Sequence, residues 1–124
     1  MNHVAMNGLV KKRPVSVTIL ALVYILVGTA GFIFHFRESW PFHWEGLAIE
    51  ATEVLAVLGG AFLLRGHNWA RWLVLAWMVF HVILSATDPW SKLAVHVAFC
   101  AVIAWILFRP AATKYFRRAG IETN

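Results

Sequence analysis

The segment VSVTILALVYILVGTAGFIFHF, Val15 to Phe36, carries twenty-two consecutive residues without a charge. A helix rises about 1.5 Å per residue, so this segment exceeds the roughly 30 Å of hydrocarbon in a bilayer. It predicts a membrane-crossing helix. Three further apolar stretches follow, at about Leu47–Leu64, Ala70–Ala86 and Leu93–Phe108. The second holds two glutamates, the third begins beside Arg71, and the fourth is short enough to need residues from its flanks or a locally thinned bilayer.

The whole chain agrees with that reading. Of its 124 residues 60% are hydrophobic and only 14% are charged, and the mean hydropathy is +0.68. Ordinary soluble domains carry about 25% charged residues. A single small domain leaves much of its surface in water and could not hide so much apolar area. A soluble enzyme and a disordered chain are therefore both excluded. The single cysteine, Cys100, rules out an intramolecular disulfide.

Breakers separate the stretches. Pro41 lies between the first and second, Arg65-Gly66 between the second and third, Asp88-Pro89 between the third and fourth, and Pro110 ends the fourth. Connections this short force antiparallel neighbours. The expected fold is all-α: a four-helix transmembrane bundle of two antiparallel hairpins. Its parts are an N-terminal tail over 1–13, a four-span domain over 14–110 and a basic C-terminal tail over 111–124.

Lysine and arginine orient the bundle. Lys11, Lys12, Arg13, Arg65, Arg71, Arg109, Lys114, Arg117 and Arg118 fall on the side that holds both termini, and only Arg37 and Lys92 fall opposite. Nine of eleven on one side places both termini in the cytoplasm by the positive-inside rule. Trp69, Trp72 and Trp105 suit the inner interface, and Trp40, Trp44 and Trp90 the outer one. This distribution accounts for the formal net charge of +5 without a nucleic-acid partner. Lys11-Lys12-Arg13 could open a signal peptide, but the apolar stretch outruns the 7–15 residues of such a segment and no small-x-small site closes it. An uncleaved first helix is expected. The basic tail, with Tyr115 and Phe116, reads as an interfacial cap drawn to anionic lipid.

The chain also echoes itself. Shifted by 46 residues, Phe34-His35 falls on Phe80-His81, Ser39 on Ser85, Trp44 on Trp90 and Leu47-Ala48 on Leu93-Ala94. These are six identities in seventeen positions, against a background of biased composition. A true duplication would be a parallel internal repeat, making His35 equivalent to His81 and Glu50 to His96.

Helical periodicity groups the polar residues. Tyr24, Gly28, Gly31 and His35 share one face, and Gly46, Glu50, Glu53, Val57 and Gly60 share another. His81, Ser85 and Asp88 align on the third stretch, and His96, Cys100 and Ile103 on the fourth. Small residues permit close helix approach, so the first two faces should look inward. Glu50, Glu53, His35, His81 and His96 then reach similar depths in the outer leaflet. Charge within a span is costly.

Three readings follow. The leading one is structural: a non-catalytic bundle or accessory subunit in which these groups hydrogen-bond across helices. The second is a divalent metal held by Glu50, Glu53, His81 and His96, with His35 and Cys100 as accessory polar groups, or haem between His81 and His96. The third is an oligomeric carrier of protons or a small solute, opening outward through His43, Glu45 and Asp88. No nucleophile elbow, phosphate loop, CxxC or HExxH motif is present, so no catalytic residue is expected. The expected partners are the lipid bilayer and either further copies of the chain or a larger membrane complex.

The segments Arg13-Pro14-Val15-Ser16-Val17-Thr18-Ile19-Leu20, Arg65-Gly66-His67-Asn68-Trp69-Ala70-Arg71-Trp72 and Arg109-Pro110-Ala111-Ala112 mark membrane boundaries. Over about Arg13–Arg117 the chain resembles small four-pass bacterial inner-membrane proteins of no assigned function. That resemblance implies a topology and a bacterial inner membrane. It implies no activity and carries over no functional residue.

Overall fold

The computed structural model describes residues 13–38, 41 and 43–123. Lys11, Lys12, Trp40 and the N-terminal tail before Arg13 lie outside the described residues. Among those described there are five helices and no strand: α1 (Val15–Glu38), α2 (Trp44–Leu64), α3 (Asn68–Ser85), α4 (Trp90–Phe108) and α5 (Pro110–Thr123). The first four are long and apolar enough to cross a membrane. They coincide with the expected spans, and the fourth gains its missing length by starting at Trp90. The fold is an all-α bundle, and the protein belongs by its four spans among multi-pass membrane proteins.

The stops are built from the breakers. At the end of α2 the amides of Gly66 and His67 bond back to the carbonyls of Leu63 and Phe62, both at 3.1 Å. This reciprocal pair requires a left-handed residue, and Gly66 has φ 80°. A Cβ there would also stand 2.5 Å from that of Ala119. Conformation and proximity to α5 thus both demand glycine.

Helices α1 and α2 pack along most of their length, whereas α1 and α4 barely meet. The α1–α2 contact is close because glycines line it. A Cβ at Gly28 would lie 2.8 Å from the Glu53 carbonyl, and one at Gly60 would lie 2.6 Å from that of Ala21. Helices α3 and α4 form the second hairpin, and α2 joins the two through α3.

Packing is tightest at the end that holds both termini. Val17, Leu63, Leu107 and Phe116 are fully buried there. Residues 111–124 were expected as a tail, but Pro110–Thr123 forms α5, which buries Ala112 and Phe116 against the bundle. Pro110 suits the first turn of a helix, where its missing N–H has no intrahelical role. Lys114 and Arg117 remain exposed on the other face of α5.

The cations of this end close the helix termini. Arg13 donates to the Leu64 carbonyl at 2.6 Å, and Tyr115 donates to the same oxygen at 3.2 Å. Arg71 is buried, donates to the Leu107 carbonyl at 3.1 Å and to Thr113 Oγ1 at 3.3 Å, and sits between the rings of Phe108 and Phe116. Arg109 donates to Ser16 Oγ and covers Trp105. The last carbonyls of α2 and α4, which no helical amide can reach, thereby gain donors.

Candidate functional site

The polar residues of the spans fall in two neighbourhoods. The first lies between α1 and α2. Glu50 and Glu53 are buried on the glycine face of α2, as the periodicity implied. Glu53 Oε1 lies 3.7 Å from His35 Nδ1, and the Glu53 carboxyl rests on the bare backbone of Gly31. Glu50 is 7% exposed, and neither of its oxygens meets a donor among the described residues. His81 and Glu50 lie within electrostatic reach of Glu53.

The second neighbourhood is a crevice of about 690 Å³ where α1 and α4 fail to close. Val23 and Val27 of α1, Trp77 and His81 of α3, and Phe99 and His96 of α4 are among its walls, and Ala56 of α2 lies behind them. The walls run from Ser16 to Val27 on α1 and from His96 to Ile106 on α4. Each is about 15 Å long at 1.5 Å per residue. Both imidazoles stand at one end, Ser16 stands at the other, and the walls between are largely apolar.

The imidazoles are held firmly. His81 Nδ1 lies 2.9 Å from the Trp77 carbonyl, and its ring packs on that of Trp77 with centroids 3.8 Å apart. Trp77 Nε1 donates to the Thr52 carbonyl at 2.8 Å, and Tyr24 meets the Trp77 ring edge-on and donates to the Val74 carbonyl at 3.0 Å. His96 Nδ1 lies 2.8 Å from the Lys92 carbonyl and 3.1 Å from Ser85 Oγ. Ser85 itself donates to the His81 carbonyl at 2.8 Å.

This arrangement divides the expected cluster. Among the described residues no three His, Cys, Asp or Glu side chains form a group that could hold a metal ion. The four-ligand set of Glu50, Glu53, His81 and His96 is corrected accordingly: Glu53 turns toward Gly31 and His35 of α1, Glu50 is buried without a donor among the described residues, and the histidines line the crevice. Cys100 packs against the hydrophobic core. Of the outward polar residues, Asp88 pairs with Lys92 at 2.8 Å and His43 Nδ1 lies 3.1 Å from the Pro41 carbonyl. The residues that the 46-residue shift equates differ in role, since His35 faces Glu53 while His81 binds its own helix.

The crevice itself escapes sequence reasoning, because it arises from a seam left open and not from a motif. Compared with family models, with curated proteins and with solved structures, the chain matches none of them.

Proposed function

We propose that this chain is a non-catalytic multi-pass protein of a bacterial inner membrane, with both termini in the cytoplasm, that holds a hydrophobic molecule from the bilayer in the crevice between α1 and α4. The observation that carries the reading is the crevice. Its 690 Å³ lies within the range of about 300–1,000 Å³ typical of small-molecule sites. A partner helix about 10 Å across and 15 Å long would occupy roughly 1,200 Å³. The space therefore suits a single chain-like molecule better than a whole helix. The seam between α1 and α4 offers a sideways route from the bilayer. The orientation is supported by the cations at the end holding both termini, and the bacterial membrane by the resemblance in the boundary segments.

The test is co-purification. The protein is isolated in mild detergent and its bound small molecules are released and identified by mass spectrometry, beside the variant Val23→Trp. Val23 is a half-exposed wall residue, so the larger ring fills the crevice without entering the core. A molecule retained by the wild type and lost from the variant supports the reading. Equal retention overturns it.

One observation favours a second reading, haem between His81 and His96: both imidazoles leave Nε2 without a partner among the described residues, beside a largely apolar space. A Soret band lost in His81→Ala would establish it, and a colourless preparation that takes up no added haem would reject it.

A further inference from the structure

The hydrogen bonds around the two crevice histidines define the head group that the crevice accepts; this inference rests on the binding reading above. A carbonyl oxygen can only accept a hydrogen bond. His81 Nδ1 lies 2.9 Å from the Trp77 carbonyl and His96 Nδ1 lies 2.8 Å from the Lys92 carbonyl, so both Nδ1 atoms carry hydrogen. Ser85 agrees. Its hydroxyl hydrogen goes to the His81 carbonyl, which leaves its oxygen to accept from His96 Nδ1. The tautomer of a neutral imidazole is thereby fixed: Nε2 holds a lone pair. Neither Nε2 has a hydrogen-bond partner among the described residues.

The polar end of the crevice thus presents two acceptors and no donor of its own. Lys92, the cation on the same helix as His96, is held by Asp88 at 2.8 Å. An ester or ketone head would set its oxygens against two lone pairs. A phosphate head would bring charge to walls that are otherwise largely apolar. A head bearing O–H matches.

We infer that the crevice binds a single-tailed amphiphile whose protic head, a hydroxyl or an undissociated carboxyl, donates to Nε2 of His81 or His96 while its tail lies along Val23, Val27 and Phe99 toward Ser16. Long-chain alcohols and long-chain acids share this chemistry.

The experiment uses the full chain in lipid nanodiscs, labelled with ¹⁵N-histidine. The probes are 1-octadecanol, octadecanoic acid, methyl octadecanoate and octadecane, with binding read by native mass spectrometry and the Nε2 resonances by NMR. The expected result is that the free protein shows the Nδ1–H tautomer at both histidines. The alcohol, the acid or both then bind about tenfold more tightly than the methyl ester, the worth of about one net hydrogen bond, and shift an Nε2 resonance. Preference for the acid alone or the alcohol alone identifies the source. In His81→Phe and His96→Phe together the preference falls toward onefold while octadecane binding persists. If that variant does not fold, the wild-type probe series and the tautomers still decide. Equal binding of alcohol, acid and ester, or an Nε2–H tautomer in the free protein, overturns the head assignment and leaves the crevice reading standing. Failure of all four probes, octadecane included, overturns both.

Discussion

The carboxyl of Glu53 occupies the place a side chain at Gly31 would need: a Cβ built on Gly31 stands 2.6 Å from Glu53 Cδ and 2.7 Å from both oxygens. The glycine and the glutamate are therefore one packing unit, shared by α1 and α2. Gly31→Ala should destabilise the bundle by about 1–3 kcal/mol, the ordinary cost of overpacking. In a Glu53→Ala background the same change should cost much less. Unfolding in mixed micelles, measured for the double-mutant cycle, checks this. Equal costs in both backgrounds would mean that the carboxyl does not set the helix separation.

Glu50 differs from its neighbour one turn away. It is buried, and both its oxygens lack a donor among the described residues. Leaving a buried polar group unpaired costs about 1–3 kcal/mol. Glu50→Met should raise stability by an amount in that range, read by the same unfolding assay. A destabilised Glu50→Met protein would reveal that the carboxylate has a use in the native bilayer.

Arg71 joins α3 to the end of α4 and to α5, through the Leu107 carbonyl, Thr113 Oγ1 and two aromatic faces. Hydrogen bonds from a charged donor are worth about 1.5–3 kcal/mol. Arg71→Met should cost that much and release α5, so that trypsin cuts after Lys114 and Arg117 well before it cuts the wild type. Arg71→Lys should give most of the same effect, because an ammonium cannot form the planar fork or lie flat between two rings. Unchanged proteolysis would show that Ala112, Tyr115 and Phe116 hold α5 without Arg71.

Tyr24 donates across the bundle to the carbonyl of Val74 at 3.0 Å. Interhelical bonds of this kind in membranes are worth about 0.6 kcal/mol on average and 1.7 at most. Tyr24→Phe should lose an amount within that span while keeping the edge-on contact with Trp77. A loss well above it would mean that the hydroxyl organises the Trp77–His81 stack as well.

Orientation has its own check. With Cys100 replaced by alanine, Glu45→Cys should react with a membrane-impermeant maleimide added to intact cells. His67→Cys should react only after the membrane is opened. The reverse pattern would invert the topology.

The spans were legible in the sequence because hydropathy and length are properties of contiguous residues. The inward faces of α1 and α2 were legible too, since Gly28, Gly31, Glu50 and Glu53 recur at helical spacing and small residues mark close approach. What the pattern could not convey was how neighbouring faces divide their attention. Glu53 and His81 sit at similar depth, yet one turns to Gly31 and the other to the crevice. That choice depends on the rotation of α3 about its own axis, which Trp77 fixes by reaching the Thr52 carbonyl. Residues 111–124 read as a tail for a related reason. Their charges suggest a lipid surface, whereas only Ala112 and Phe116, four residues apart, betray a buried stripe.

The Leu64 carbonyl has one further consequence, for the order of biogenesis. Arg13, at the threshold of the first span, and Tyr115, in the last helix, meet on this single oxygen. A ribosome delivers the first donor and the acceptor long before the second donor exists. This rim of the bundle is therefore completed only once the segment that carries Tyr115 has been made. A released chain that stops before Pro110 would carry all four spans and yet lack the second donor at this rim.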